Sequence, residues 1–289
     1  MWFWYAIFSA LVSAVSIILN KKALKNINAS LVSWALFSFS IPFLIYPAFK
    51  DGLPKINNVF WIVTVISVVS FAYLKTLALK SLKGSLMSEV IPLAFFSVLS
   101  SYVFGLIFLS QSLKTLPLIG LFLIIVGGYL LKVEEAREDF FKPFKLLFTN
   151  KGSRSYLFAM MMMPLTSIFD KFALNNIQPV NPSFLLLLEN AMTSVLIGFY
   201  MTKKDKNWTK ELKANFLSLS INGLAYLGVS LLFLYGITTG AVALVSGIKK
   251  LEVFFVLIFG WLLFGDKPKS SVWLGSIIML LGVILIKLG

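Results

Sequence analysis

The sequence predicts an all-α membrane protein with ten transmembrane helices, arranged as two inverted five-helix repeats. Hydrophobic residues make up 58% of the chain, whereas soluble domains are roughly half apolar. These residues fall into blocks of about 20, the length that crosses a hydrocarbon core as a helix. The two halves of the chain also resemble each other in sequence. Together these three observations favour a duplicated bundle of membrane-spanning helices.

Polar and charged turn residues separate the apolar spans, as in NKKALKNIN and KDGLPKINN. The N-terminus is apolar from Trp2 onward and lacks a basic region and a small-residue cleavage site, so we expect a retained first helix. In chain order the predicted spans are Trp2–Leu19, Ala29–Phe49, Val59–Leu79, Gly84–Ser110, Leu116–Lys132, Tyr156–Ala173, Ser183–Met201, Asn215–Gly236, Gly240–Phe264 and Ser271–Ile286.

The longest polar stretch divides the predicted spans into five and five. It gives a first repeat at 1–132, a linker at 133–154 and a second repeat at 155–289. The linker segment FFKPFKLLF fits either a helix lying in the membrane interface or an ordinary charged connection.

Internal similarity supports the duplication. SIILNKKALKNI at Ser16–Ile27 matches TSIFDKFALNNI at Thr166–Ile177 with a shift of 150 residues. Because five is odd, the second copy crosses the membrane in the opposite sense, as in transporters whose substrate site lies near the midplane between inverted repeats. Later in the chain the shift becomes 155 and aligns Gly105 with Gly260, Gly120 with Gly275 and Gly127 with Gly282.

Two longer segments carry a family resemblance. GSLMSEVIPLAFFSVLSSYVFGLIFLSQ is followed by a glycine-rich helix, and GAVALVSGIKKLEVFFVLIFGWLLFGD repeats this layout. The segments resemble the EamA family of the drug/metabolite transporter superfamily, in which an acid or amide closes the fourth helix. Here Gln111 and Asp266 stand at those positions. GIKKLEVFFVLIFGWLLFGD also resembles the ninth helix of the triose-phosphate and nucleotide-sugar branch, in which a basic pair helps to hold an anionic substrate.

The resemblance implies a secondary transporter of a small metabolite, such as an amino acid or an organic anion, that works by alternating access. Export or exchange across the cytoplasmic membrane of a bacterium is the expected activity. The partners are then a small-molecule substrate, the lipid bilayer, and a proton or a counter-substrate. A membrane-embedded enzyme and a non-transporting scaffold are the alternative classes, but inverted duplication has a direct use only in transport.

The charge distribution predicts the orientation. The net charge is +14. We do not expect nucleic-acid binding, because the chain contains no soluble domain large enough to bind nucleic acid. Of the 26 basic residues, 18 lie in loops after odd-numbered spans and five on the opposite face. Because cytoplasmic loops favour Lys and Arg, we expect the odd-span loops in the cytoplasm and both termini outside.

The strongest candidates for a substrate site are Lys249, Lys250 and Glu252, in the middle of an apolar span. A lysine at a helix centre costs about 2.5–3.5 kcal/mol on insertion, so such residues are usually functional. In a continuous helix Lys249 and Glu252 share a face, whereas Lys250 points away from Glu252 and needs another partner or a ligand. A substrate anion bound by lysine and a structural ion pair between helices both explain the cluster.

Five further residues complete the candidate substrate-binding set. The two carboxylates would neutralise the empty site or bind an ammonium group or a proton, and the two tyrosines would supply a hydrogen bond or an aromatic wall. These residues are Glu189, Glu89, Asn190, Tyr73 and Tyr226.

Prolines and glycines predict local geometry. Pro42, Pro92 and Pro164 lie inside spans, where each removes a backbone donor. A gating kink and the ordinary occurrence of proline in membrane helices both explain them. Close helix contacts, within the chain or in a homodimer, are expected at Gly105, Gly127, Gly128, Gly260 and Gly282.

The sequence contains no Cys and no His, which excludes thiolate and imidazole chemistry. It also lacks a phosphate-binding loop of the kind found in ATPases. We therefore expect no catalytic residues, no metal and no cofactor.

Overall fold

A computed structural model describes residues 1–83, 94–136, 141, 145, 148–204, 208–264 and 270–289. The chain is helical apart from one short ladder of two strands within these residues. The elements are α1 (Trp2–Ala23), α2 (Ala29–Ser38), α3 (Ile41–Phe49), β1 (Lys55–Ile56), α4 (Asn58–Lys83), α5 (Phe96–Leu109), α6 (Thr115–Ala136), α7 (Lys151–Met162), α8 (Pro164–Asn175), β2 (Ile177–Gln178), α9 (Pro182–Lys204), α10 (Trp208–Ala214), α11 (Phe216–Thr239), α12 (Val242–Lys249), α13 (Glu252–Phe264) and α14 (Ser270–Leu288).

Six stretches of helix within the described residues are long and apolar enough to cross a membrane, and three shorter helices are also apolar. The prediction of a helical, multi-pass membrane protein is therefore confirmed. The six longer stretches are Trp2–Ala23, Ala29–Phe49, Asn58–Lys75, Lys151–Asn175, Pro182–Lys204 and Phe216–Thr239, and the shorter helices are Phe96–Leu109, Thr115–Leu131 and Val272–Leu288.

Three predicted spans are interrupted. The second divides into α2 and α3 just before Pro42, which lies in the first turn of α3. The sixth divides at Met163, immediately before Pro164. Both interruptions lie beside a proline, which lacks the amide hydrogen that continues a helix. The ninth span divides at Lys250 and Leu251 without any proline. Pro92 lies outside the described residues.

Asparagines start several helices. The side-chain oxygens of Asn28, Asn57, Asn150 and Asn181 each accept a backbone N–H from two or three residues further on, at 2.7–3.0 Å. Such caps satisfy amide groups that have no partner inside the helix. The polar turn motifs therefore fix where α2, α4, α7 and α9 begin.

Two features of the loops were not predicted. The segments KDGLPKINN and NNIQPVNP form a short antiparallel ladder, in which Lys55 pairs with Gln178 and Ile56 pairs with Ile177. The short helix α10 lies in the polar loop that follows α9. Each is too short to leave a hydrophobic period in the sequence.

The chain folds into two compact units. The first contains Met1–Val68 and Asp170–Thr239, and the second contains Val69–Phe169 and Gly240–Gly289. Each unit takes residues from both predicted sequence repeats. The compact units and the sequence repeats are therefore different divisions of the chain.

In the first unit, α1 packs closely against α11 through small residues. Ala6, Ala10 and Ala14 lie one turn apart on α1 and are fully buried. Between them the hydroxyl of Ser9 donates to the backbone carbonyl of Val229 at 3.0 Å. Small residues let membrane helices approach each other without cavities, and a buried hydroxyl bonded to a carbonyl adds to the contact.

In the second unit, α6 and α14 meet at two reciprocal pairs of glycines. Gly120 contacts the carbonyl of Gly282, and Gly282 contacts the carbonyl of Gly120. A Cβ atom on Gly127 would lie 2.6 Å from the carbonyl oxygen of Gly275, and the reverse distance is also 2.6 Å. Neither helix can accept a side chain at these positions unless the two backbones separate.

Replacing Gly127 by alanine is therefore expected to lower the free energy of unfolding by about 1–3 kcal/mol, the usual cost of overpacking. Gly260→Ala is the matched control, because a Cβ there would meet no described atom within 4 Å. Among the described residues nothing makes the close contact within the chain that was expected at Gly260, and a contact there in a homodimer stays a prediction. Thermal unfolding in detergent measures both variants, and equal stability of the two would contradict the packing argument.

Candidate functional site

The ninth predicted span is interrupted where its charges lie. The backbone N–H of Lys250 donates to the carbonyl of Gly247 at 3.0 Å, and that of Leu251 donates to Ile248 at 2.9 Å. These bonds reach back three residues instead of four, so α12 tightens and ends. The regular helix resumes at Glu252.

The charges match the two helix ends at this interruption. Lys249 is in the last turn of α12, where carbonyl groups carry partial negative charge. Glu252 is in the first turn of α13, where amide groups carry partial positive charge. Each residue thus stabilises its own helix end inside an apolar segment.

Lys250 has a different neighbour. Its ammonium group lies 5.8 Å from the centre of the Phe95 ring, within the range of a cation–π contact. Phe95 is 2% exposed and packs directly on Gly128 of α6, which fixes the position of the ring. Lys250 forms no salt bridge within 4 Å with a carboxylate of the described residues. Glu252 and Lys249 act on its charge at longer range.

Lys75 of α4 joins this group, although the sequence pattern did not identify it as a site residue. It lies within electrostatic range of both Lys249 and Glu252. Its side chain is exposed on the surface of the protein. We call Lys75, Lys249, Lys250 and Glu252 the lysine cluster. Among the described residues it combines three positive charges with one negative charge.

A second polar group lies in the first unit and centres on two carboxyl groups. Asp170 of α8 and Glu189 of α9 lie within hydrogen-bonding distance of each other. The hydroxyl of Ser67 on α4 donates to Asp170 at 2.6 Å. The Oε1 atom of Glu189 is buried, and no group of the described residues donates a hydrogen bond to it. We call Asp170 and Glu189 the carboxyl pair.

A row of hydrogen bonds lies beside the carboxyl pair. The Tyr226 hydroxyl is 3.5 Å from Oδ1 of Asn190, at the long limit for a hydrogen bond. The Asn190 amide donates to the hydroxyl of Ser40 at 2.7 Å, and Ser40 donates to the carbonyl of Phe37 at 2.5 Å. The ring of Phe37 also packs edge-on against Tyr226. These contacts hold Asn190 and Tyr226 in fixed orientations.

Lys171 occupies a place that the sequence did not predict. The charge count placed Lys171 among the five basic residues in loops of the face opposite the odd-span loops. In the structure it is 9% exposed and lies within α8. Its ammonium group donates to the backbone carbonyls of Ile237 and Thr238, the latter at 2.6 Å. These carbonyls are in the last turn of α11, where no amide of the same helix can reach them. Lys171 therefore caps the C-terminus of α11.

Gln111 also acts as a cap. Its Oε1 accepts the backbone N–H of Val242 at 3.0 Å, at the start of α12. A residue between the fourth and fifth predicted spans thus fixes the start of the ninth. Asp266, which closes the equivalent segment of the second repeat, lies outside the described residues.

The structure divides the candidate residues between the two units. Lys249, Lys250 and Glu252 lie in the second unit. Tyr73 is also in the second unit, two residues before Lys75, and is 63% exposed.

Glu189, Asn190 and Tyr226 come together in the first unit, where Asp170 accompanies them. Glu89 lies outside the described residues. The candidate residues therefore fall into two polar groups. In each group, residues from the second half of the sequence meet a residue from the first half, Lys75 or Ser67.

The apolar helices, the interrupted spans and the charges beside the interruption define an integral, multi-pass membrane protein of the transporter class. The chain belongs to the EamA-like transporter family, whose family model matches residues 1–133 and 151–288. This family and the drug/metabolite transporter superfamily were expected from the sequence, and the expectation is confirmed.

Solved structures share the fold. One crystal structure superimposes with a TM-score of 0.74 at 13% sequence identity, covering 98% of this chain and 95% of that chain. At this level of identity the likeness extends to the fold alone. A comparison with curated proteins found no match.

Proposed function

We propose that the protein is a secondary transporter that moves a small anionic metabolite, an organic anion or an amino acid, across the cytoplasmic membrane of a bacterium. The substrate site is reached alternately from the two sides, and the protein exports or exchanges its substrate. Ten spans form two inverted five-helix repeats. Family membership supports transport and not enzymatic catalysis.

The glycine contacts support the inverted repeats. Gly120 and Gly275 are equivalent in the two repeats, as are Gly127 and Gly282. Gly120 contacts Gly282, and Gly127 contacts Gly275. A twofold axis between two antiparallel helices produces this crossed pairing. If the first glycine of one helix contacts the second glycine of the other, the axis requires the second glycine to contact the first. The two separate family matches agree with the duplication.

A second contact also relates the two repeats by symmetry. Ser40 and Asn190 are separated by the repeat shift of 150 residues, and they are hydrogen-bonded to each other at 2.7 Å. Equivalent residues of two repeats meet only beside the axis that relates them. This pair supports an axis near the interruption between α2 and α3.

The lysine cluster is the observation that supports an anionic substrate. Three lysines surround a single glutamate at an interrupted helix within an apolar segment. An excess of positive charge is costly in a membrane unless it faces protein or a cavity in which a ligand balances it. A carboxylate or phosphate group on the substrate supplies the missing negative charge, with Lys250 as the main contact.

The other candidate residues have supporting roles in this proposal. Glu252 partly neutralises the lysines when the site is empty. Tyr73, two residues before Lys75, and Glu89, which the sequence alone suggests, are proposed as further substrate contacts. Asn190 and Tyr226 supply oriented hydrogen bonds in the second polar group, beside Glu189.

The experiment for this function is uptake by proteoliposomes containing the purified protein. A panel of labelled anionic and zwitterionic metabolites is tested for saturable, protein-dependent transport. Conversion of a metabolite into a product without its transport would favour a membrane enzyme instead.

The proposed orientation has its own test. Cysteines that replace Lys145 and Lys206 are expected to resist a membrane-impermeant thiol reagent in intact cells, because odd-span loops are cytoplasmic. A cysteine that replaces Lys50, whose side chain is 53% exposed on the opposite face, is the matched control and should be labelled. The native chain has no cysteine, so no background labelling interferes. Labelling of the first two and protection of the third would reverse the orientation.

A further inference from the structure

The carboxyl pair needs a hydrogen-bond donor that the neighbouring described groups do not supply. The two carboxyl groups approach within hydrogen-bonding distance, but an ionised carboxylate has no proton to donate. Two ionised carboxylates at this distance would repel each other strongly inside a membrane protein. A hydrogen bond between them therefore needs one proton on the pair.

The surroundings lead to the same requirement. Ser67 donates one hydrogen bond, and it goes to Asp170. The Oε1 atom of Glu189 is buried with no donor among the described residues. Leaving a buried carboxylate oxygen without a donor is costly. A proton on Glu189 that is shared with Asp170 neutralises this carboxylate and so lowers the cost of burying it.

The groups that face the pair do not neutralise it. Lys171 follows Asp170 on α8, but its ammonium group is bonded to the carbonyls at the end of α11. Tyr226 of α11 lies within electrostatic range of both carboxyl groups and is hydrogen-bonded to Asn190 and Ser230. Asn190 of α9 is engaged with Ser40. Among the described residues of the first unit, therefore, no cation is directed at the carboxyl pair.

We propose that Asp170 and Glu189 form a proton-binding site of this protein, separate from the lysine cluster, which holds one proton between two carboxyl groups. In the protonated state one group is a carboxylic acid that donates to the other, a carboxylate. When the pair opens to water the proton passes to a water molecule, and two carboxylates remain. A role of this proton in coupling rests on the proposed transport function, whereas the proton site itself does not.

The test uses the purified full-length protein in detergent and needs no transport substrate. Infrared difference spectra in light and heavy water detect the carbonyl stretch of a protonated carboxyl group. The wild-type protein is expected to show this band at neutral pH, where exposed Asp and Glu are ionised. Absence of the band from the wild-type protein overturns the proposal, whether or not any variant folds.

Variants assign the band to the pair. In Glu189→Gln or Asp170→Asn an amide donates to the remaining carboxylate, so either change is expected to remove or shift the band. Asp51→Asn changes a carboxylate that is 65% exposed, and the band should remain. A band that is unchanged in both pair variants overturns the proposal. Loss of the wild-type band on addition of sodium at constant pH also overturns it, because the pair would then bind a metal cation.

Discussion

Replacing Lys250 by methionine is expected to abolish substrate transport while the protein still inserts and folds. Methionine has a similar length and is cheap to insert, so the membrane penalty falls. The change removes the lysine that lies against Phe95 without a salt bridge to a described carboxylate. Substrate uptake into proteoliposomes and thermal stability are the two measurements. Lys25→Met, which changes an exposed loop lysine, is the control and should transport normally.

The stability measurement separates a binding role from a structural one. Glu252 retains Lys75 and Lys249 nearby when Lys250 is removed, so stability should be unchanged or higher. A structural ion pair would instead leave an uncompensated buried acid, at a cost of about 3–5 kcal/mol. The change Glu252→Gln would then restore folding. Full transport by Lys250→Met would remove this residue from the site and shift the substrate contact to Lys249.

Replacing Lys171 by methionine is expected to destabilise the protein by about 3 kcal/mol, through the loss of charged hydrogen bonds to two backbone carbonyls. The carbonyls of Ile237 and Thr238 would then lack partners at the end of a buried helix. Thermal or denaturant unfolding in detergent measures the effect.

The matched control is Lys21→Met, at the equivalent position of the first repeat. Lys21 is exposed and lines an open groove at the end of α1 with Asn20 and Lys25. Its loss should cost less than about 1 kcal/mol, the usual contribution of a lysine in the last turn of a helix. Similar losses in both variants would contradict the capping role of Lys171.

The sequence predicted the helices well because membrane thickness and turn chemistry leave direct signals. Blocks of apolar residues correctly predicted α1, α4, α9 and α11. The asparagine caps lie in the polar turn motifs that separate the apolar blocks. Pro42 and Pro164 lie beside two of the interruptions, where proline removes a backbone donor. The interruption at Lys250 had no such signal, because Gly247 and the charges of the lysine cluster fit a continuous helix equally well.

The candidate site was predicted only in part. Lys249, Lys250 and Glu252 are close in sequence, so helix geometry grouped them. Asp170 and Glu189 lie on different helices, and no spacing rule joins residues across a tertiary contact. Lys75 was not among the candidate residues. Isolated lysines within apolar spans are the signal that would have identified it.

The most direct test of anion transport is counterflow in proteoliposomes. Liposomes are preloaded with an unlabelled metabolite from the panel, and entry of the same labelled metabolite is followed without any ion gradient. The proposal predicts transient accumulation of at least one anionic metabolite by the wild-type protein, and none by Lys250→Met. Absence of counterflow for every metabolite, or equal counterflow by both proteins, would contradict a transporter that binds its anion at the lysine cluster.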